Sequence, residues 1–222
     1  MPTETTWVDR VVQYNQERFE NQCHACELGN GQTVPIPKSF VYDKTGKSPL
    51  FIVLSYPKET DLQMGRILCG GYKVCLANWV SKFIYRPSMY ITTAVKCGML
   101  NEGNPSGRQI KACSIAQLNT ELKIINPKVV VLVGKEAIRA FFHCTATDAK
   151  ELLLTHTPSY SKFLDTGVKW TGSVYTTYHP SYFKMGGQTA LEEEDNCIYQ
   201  FNLAIKELHQ WNNQAQQSNS LL

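Results

Sequence analysis

The chain has 222 residues, of which 43% are hydrophobic and 18% are charged, and this length and composition predict a globular protein with a sizeable core. The formal net charge of +3 permits a nucleic-acid partner without itself indicating one. No run of about eighteen apolar residues occurs, which excludes a membrane-spanning helix. The amino terminus, MPTETTWVDR, lacks an export signal, so we expect a cytoplasmic protein whose eight cysteines are reduced thiols or metal ligands.

Strands and helices alternate along the predicted fold. Apolar periodicity predicts a first helix over 7–19 and further helices over about 72–85, 107–125, 135–142 and 191–211. Apolar, β-branched runs predict strands over 50–55, 89–95, 128–134 and 173–179. This alternation predicts a parallel sheet covered by helices on both sides, in a single domain over 1–213. Residues 214–222 are polar and are predicted to form a disordered tail.

The four strands end in the loops that are richest in polar and glycine residues. These loops read SYPKETD, KCGMLNEGN, GKEA and HPSYFKMGG. In a parallel α/β sheet, ligands bind in a crevice beyond the carboxyl ends of the strands. We therefore expect the chemistry of this protein in these loops.

Four cysteines have spacings typical of ligand pairs. Cys23 and Cys26 form a C-x2-C pair near the amino terminus, and Cys97 and Cys113 form a C-x15-C pair after the second predicted strand. Two such pairs can close a zinc site or hold an iron–sulfur cluster, and the spacing does not decide between them. The remaining cysteines are predicted to be buried structural thiols: Cys69, Cys75, Cys144 and Cys197.

Several segments in the same order resemble one protein family. The segments CHACEL, YITTAVKC, the following Cys113, INPKVVVLVGKEAIRAF and YTTYHPSYF resemble the iron–sulfur uracil-DNA glycosylases, family 4 of the uracil-DNA glycosylase superfamily. The resemblance implies a three-layer α/β/α sandwich with a four-stranded parallel sheet. It also implies a structural [4Fe–4S] cluster, bound by an amino-terminal cluster-binding segment that carries the first cysteine pair and by the second cysteine pair. The implied ligands are Cys23, Cys26, Cys97 and Cys113.

The resemblance also implies how DNA would be handled. His179 stands where the family has the histidine that donates to the oxygen of the leaving base. Ser181, Tyr182 and Phe183 would form the loop that pushes into the DNA. The basic residues expected to face DNA, single- or double-stranded, are Lys58, Arg66, Arg108, Lys162 and Lys184.

The predicted base pocket departs from the family pattern at its functional positions. Tyr56 and Pro57 are expected to line it, but Leu68 replaces a phenylalanine that stacks on uracil, and Thr93 replaces an asparagine that reads its edge. Ser55 replaces the acidic residue that handles water and is our second catalytic candidate beside the histidine.

A nearby carboxylate is one way to compensate for the serine at position 55. KETD is predicted to be a solvated charged turn, and the alternative is that Glu59 or Asp61 supplies the carboxylate through a rearranged loop. The loss of the asparagine should relax or redirect base specificity.

Three functions follow from these patterns. The first is a DNA glycosylase that excises uracil or another modified base by flipping it out of the stack. The second is a catalytically inactive superfamily member that serves as a DNA-binding module, with a replication or repair protein as a further partner. The third is a crevice that binds a nucleotide or a protein instead of DNA.

Overall fold

The computed structural model describes residues 6–20, 23–28, 37–42, 48–70, 72–81, 87–99, 103–163, 169–185 and 188–219. Within these ranges the strands are Phe40–Tyr42 (β1), Leu50–Leu54 (β2), Met89–Thr93 (β3), Val129–Val133 (β4), His156–Phe163 (β5) and Lys169–Thr177 (β6). The α-helices are Trp7–Glu20 (α1), Glu59–Met64 (α2), Tyr72–Ser81 (α3), Gly107–Cys113 (α4), Asn119–Ile125 (α5), Lys135–Phe142 (α6), Ala146–Glu151 (α7) and Gln188–Asn219 (α8). A π-helical segment, Ser114–Leu118, joins α4 to α5, and a 3-10 helix spans Pro180–Met185.

The strands form one sheet in the order β1-β3-β2-β4-β6-β5. The four central strands run parallel and are the four that the sequence predicts. The predicted α/β fold class is confirmed, but the sheet has six strands because β1 and β5 add antiparallel edges. β1 has only three residues, and β5 reads HTPSYSKF, so neither carries the apolar run that identifies a buried strand.

Each face of the sheet is covered by helices. Alternate residues of β2 point to opposite faces: Phe51 and Val53 belong to a core shared with α1 and α4–α6, and Leu50 and Ile52 belong to a core shared with α3 and α8. Because both faces are buried, the central strands need apolar residues at every position instead of every second one. This explains why they were recognisable as continuous apolar runs.

The last helix is longer than predicted. α8 runs to Asn219 and so includes most of the segment predicted as a disordered polar tail from Gln214. Its last turns contain alanine and glutamine, which are good helix formers, so the low hydrophobicity did not mean a lack of helix. Residues 220–222 lie outside the described part, as does the predicted helix beyond Ser81. In the described residues, no helix has the length and hydrophobicity needed to cross a membrane.

Candidate active site and candidate cysteine centre

A cavity of about 390 Å³ lies where the loops after β2, β4 and β6 meet. It brings together six of the predicted site residues: Ser55, Tyr56, Lys58, His179, Ser181 and Tyr182. It is also lined by six residues that the sequence analysis did not select: Asn104, Gly134, Lys135, Glu136, Leu153 and Tyr178. Gly134 to Glu136 belong to the strand-end segment GKEA, so the crevice rule pointed to their loop without pointing to a residue.

Gly134 allows the loops of β2 and β6 to approach each other. Its backbone has φ 88° and ψ 164°, a conformation that is essentially restricted to glycine. A Cβ atom built at this position would lie 3.0 Å from both the Cβ of His179 and the Oγ of Ser55. The absence of a side chain here therefore positions the two predicted catalytic residues next to each other.

His179 follows the end of β6 by two residues and is held in one tautomer. Its Nδ1 accepts a hydrogen bond from the backbone N–H of Ser181 at 3.3 Å and lies 2.8 Å from the Ser181 Oγ. A nitrogen that accepts from a backbone N–H carries no proton, so in the neutral ring the proton is on Nε2. Burial, together with the charge of Lys58, lowers the pKa of His179 from 6.5 to about 4. The imidazole is therefore neutral at pH 7 and carries one N–H donor.

Ser55 is buried at the end of β2 and is bonded to a carboxylate. Its Oγ donates to Oε2 of Glu136 at 3.0 Å. Glu136 lies in the first turn of α6 and is only 8% exposed. The first turn of α6 thus places a carboxylate beside Ser55, the position at which the family resemblance predicts an acidic residue.

Aromatic rings surround the mouth of the cavity. Tyr178 stacks on Tyr182, with ring centroids 4.5 Å apart and planes 13° apart. The Nζ of Lys58 lies 3.9 Å from the ring centroid of Tyr56, whose hydroxyl donates to Asn104 Oδ1 at 2.8 Å. Tyr182 is 39% exposed, which leaves one tyrosine of the stacked pair open to solvent. The cavity can therefore accept a planar ligand against aromatic faces.

The structure does not bring the rest of the predicted base pocket to this cavity. Leu68 and Arg66 line a separate apolar cavity of about 320 Å³. Thr93 and Pro57 are buried, and neither lines the cavity at His179. Asp61 gives the physical reason for the position of Leu68.

The carboxylate of Asp61 ties the loop after β2 into a compact turn. It accepts from the backbone N–H of Lys58 at 3.0 Å and from that of Cys69 at 2.8 Å. These bonds close residues 58–69 around α2 and turn Leu68, at φ 62°, into the other cavity. Asp61 is therefore a capping residue, and Glu59 is exposed and bonded to Gln63.

Two of the residues expected to contact DNA make contacts with the protein interior. Lys162 is 8% exposed and its Nζ donates to the backbone oxygen of Phe141 at 2.8 Å. Phe183 packs edge-on against Trp79, with centroids 5.9 Å apart. The burial of Lys162 contradicts its expected contact with DNA, whereas Phe183 is only partly buried and its role in the DNA-facing loop stays a prediction. Arg108 is exposed, and the side chain of Lys184 lies outside the described residues.

The four cysteines of the predicted cluster site form one group. Burial, and then the neighbouring Cys113, Cys23 and Cys26, raise the pKa of the Cys97 thiol to about 12. The Sγ of Cys113 accepts from the Lys96 backbone N–H at 3.3 Å, and the Sγ of Cys23 accepts from Gln117 Nε2 at 3.4 Å. All four are free thiols.

The remaining cysteines, Cys69, Cys75, Cys144 and Cys197, are free thiols as well. Only Cys197 among them is fully buried, so the prediction that all four are buried was wrong for the other three. Among the described residues, no group of three or more His, Cys, Asp or Glu side chains has the arrangement that holds a single metal ion.

A buried ion network lies beside these cysteines. The carboxylate of Glu121 pairs with Arg18 Nη1 at 2.8 Å and with Lys96 Nζ at 2.6 Å. All three side chains are at most 3% exposed. Burial raises the pKa of the adjacent Cys113 thiol to about 11, although the charge of Lys96 acts in the opposite direction.

Comparison with known proteins places these features in a family context. A family model described as the uracil DNA glycosylase superfamily matches residues 41–201. A type-4 uracil-DNA glycosylase of Thermotoga maritima is 28% identical over 177 residues, which cover 78% of this chain and 83% of the relative. A type-4 uracil-DNA glycosylase of Sulfurisphaera tokodaii is 25% identical over 162 residues, which cover 72% of this chain and 70% of the relative. The matched range includes every residue that lines the crevice cavity.

Proposed function

Because the chain belongs to the uracil-DNA glycosylase superfamily and is family 4-like, we propose that it is a DNA glycosylase that excises uracil or another modified base. The observation that carries this proposal is the neutral His179, with its proton on Nε2, in a cavity at the carboxyl ends of parallel strands. A donor fixed in a buried site stabilises negative charge that develops on a leaving base.

The cavity suits a base that has left the DNA stack. Its volume of about 390 Å³ falls within the usual size of a small-ligand pocket. The exposed Tyr182 lines it, and base stacking on an aromatic face contributes about 1–3 kcal/mol. The side chain of Leu68 is not needed for stacking in this arrangement.

His179 would act as the C1′–N bond of the flipped nucleotide breaks. The electron pair of that bond stays with the base, and the Nε2–H of the neutral imidazole donates a hydrogen bond to the base oxygen that gains negative charge. An imidazolium would have lost the acceptor role of Nδ1, so the Ser181 N–H bond and the lowered pKa of His179 preserve the donor geometry at neutral pH.

DNA would approach over the mouth of the cavity. Lys58 and Lys135 line it, and the Lys135 side chain is 56% exposed. Tyr182 is exposed beside them and is the residue available to enter the base stack, with Ser181 next to it. If these lysines contact phosphates, the affinity for single- or double-stranded DNA falls steeply as the salt concentration rises.

We further propose that the four grouped cysteines hold a [4Fe–4S] cluster. Four free thiols and N–H donors directed at two of their sulfurs fit an anionic cluster. The ligands come from the segment after α1, the loop after β3 and the end of α4: Cys23, Cys26, Cys97 and Cys113. When bound, the cluster would cross-link these elements and take no part in the base chemistry.

A panel of oligonucleotides tests the glycosylase proposal. Purified protein is incubated with DNA carrying uracil, hypoxanthine or hydroxymethyluracil, and abasic sites are then cleaved. Abasic product from at least one base supports the enzyme. DNA binding without product from any base would instead support the inactive accessory module with a replication or repair partner. That partner and a cytoplasmic location remain predictions of the sequence.

A further inference from the structure

Glu136 carries the one carboxylate among the described residues that line the cavity of His179, and it is hydrogen-bonded to Ser55. The Glu136 side chain is 10% exposed, and its Oε2 accepts from the Ser55 Oγ at 3.0 Å. Its Oε1 lies 3.9 Å from the Nζ of Lys135, whose side chain is half exposed. The carboxylate therefore has one firm partner, and that partner is the residue at the position where an acidic residue is missing.

Other candidate carboxylates nearby are used elsewhere. Asp61 accepts two backbone N–H bonds that close its own turn. Glu59 is exposed, bonded to Gln63, and does not line the cavity. Glu136, by contrast, lies in the first turn of α6, where the helix dipole favours a negative charge.

We propose that Glu136 supplies, through Ser55, the carboxylate of this active site, and this inference rests on the proposed glycosylase function. The carboxylate is supplied from the first turn of α6, and Ser55 at the end of β2 is the group that contacts the substrate water. Glu136 thereby has two tasks: it accepts the proton of the attacking water, and its negative charge stabilises the positive charge that develops on the sugar.

The proton transfer balances as follows. The water oxygen forms a bond to C1′ as the C1′–N bond breaks and its electron pair leaves with the base. The water gives a proton to Ser55 Oγ, and the Ser55 hydroxyl passes its own proton to Glu136 Oε2. The base leaves as an anion that is hydrogen-bonded by His179, and it takes a proton from solvent after release. No oxidant or other co-reactant is needed.

Excision kinetics give the first test. Glu136→Gln keeps the shape of the side chain and a hydrogen bond to Ser55 but removes the charge, and it should lower the single-turnover excision rate about 100-fold or more. Ser55→Ala breaks the relay and should also slow excision. Glu59→Gln removes a carboxylate from the neighbouring loop and is the matched control, which should retain the wild-type rate. An unchanged rate in Glu136→Gln would overturn the proposal.

A binding measurement tests the charge without requiring turnover. Wild-type protein is titrated with DNA containing a cationic pyrrolidine abasic analogue or a neutral tetrahydrofuran analogue. A carboxylate that faces the sugar should make the wild-type protein bind the cationic analogue about tenfold or more tightly than the neutral one. Glu136→Gln should abolish this preference, and its affinity for the neutral analogue should change less than about twofold. A merely structural role of Glu136 would change both affinities together.

The two measurements separate the two proposals. If the wild-type protein excises a base but binds the cationic and neutral analogues equally, the role of Glu136 is overturned and the glycosylase function stands. The same holds if the wild type excises a base and Glu136→Gln still prefers the cationic analogue. If preference for the cationic analogue depends on Glu136 but no base is excised, the position of the carboxylate near the sugar is supported and the glycosylase function is refuted. Absence of any preference in the wild-type protein also refutes the role of Glu136. Thermal unfolding of each variant checks that it is folded.

Discussion

Gly134 connects backbone geometry to the site at the scale of a single residue. Its φ of 88° and ψ of 164° are accessible to glycine, and a Cβ would lie 3.0 Å from two catalytic candidates. We expect Gly134→Ala to lower the free energy of unfolding by about 1–3 kcal/mol and to displace His179 from Ser55. Chemical denaturation measures the first effect, and the excision rate, which should fall at least about tenfold, measures the second.

Gly65 provides a control for the strain alone. It also has a positive φ, 63°, but a Cβ built there meets no atom within 4 Å. Gly65→Ala should therefore cost about 1 kcal/mol of stability and leave excision unchanged. Equal losses of activity in both variants would mean that the close approach at Gly134 is not what positions the two side chains.

His179 should make stability depend on pH. The pKa of this histidine is about 4 in the folded protein, whereas an unperturbed histidine, as in the unfolded chain, has a pKa of 6.5. Between pH 4 and pH 6.5 the unfolded chain therefore binds more protons than the folded protein. Its contribution to stability is complete above about pH 6.5 and is lost as the pH falls toward 4. The melting temperature of the wild type should drop over this window, and the drop should be smaller in His179→Gln.

NMR titration of the His179 ring checks the assignment directly. Lys58→Met removes the second cause of the shift and should raise the pKa of His179 while leaving it below 6.5, because burial is the larger cause. A ring that titrates near 6.5 in the wild type would contradict the neutral, buried imidazole.

Residue identity alone predicted only part of the site. The motif around His179 and the crevice rule indicated loops that do line one cavity, because the carboxyl ends of parallel strands meet at one edge. Leu68 was misplaced because its direction depends on the hydrogen bonds of Asp61, and Glu136 was missed because its hydrogen bond to Ser55 joins residues 81 positions apart. No spacing in the sequence reveals those bonds.

At the scale of elements, burial decided what could be predicted. The four central strands are buried on both faces and therefore carry unbroken apolar runs, whereas the edge strand β5 is half exposed and reads as a polar segment. The π-helical segment Ser114–Leu118 lies within a stretch that was predicted as one continuous helix, and its sequence, SIAQL, does not distinguish it.

Glu121 joins three elements, α1, the loop after β3 and α5, through buried ion pairs. Replacing it by glutamine leaves Arg18 and Lys96 without their counter-charge in the interior. Removal of one partner from such a buried network costs about 3–5 kcal/mol. We expect Glu121→Gln to lower the free energy of unfolding by about that amount in chemical denaturation.

Glu17 on the exposed side of α1 is the matched control for this change. It is bonded to Gln13 at the surface, so Glu17→Gln should alter stability by less than about 0.5 kcal/mol. If Glu121→Gln is as mild as Glu17→Gln, the network does not hold the three elements together.

At the scale of the whole molecule, the proposed cluster would link the segment after α1 to the loop after β3. Cys97→Ser should abolish the brown colour, visible absorbance and iron content of the purified protein, and it should lower the melting temperature because α1 loses a cross-link to the loop after β3. Cys75→Ser on α3 should keep both the iron and the stability close to wild type. A colourless wild-type protein that contains zinc would contradict the cluster.

The fold brings three strand-end loops to one cavity, where we propose that His179 assists excision of a base. The most direct measurement is the single-turnover rate of abasic-site formation in wild type, His179→Ala and the exposed-histidine control His209→Ala. We predict a loss of about 10²–10³-fold in His179→Ala and none in His209→Ala. Equal rates in all three proteins, or DNA binding without abasic product from any base, would contradict the account.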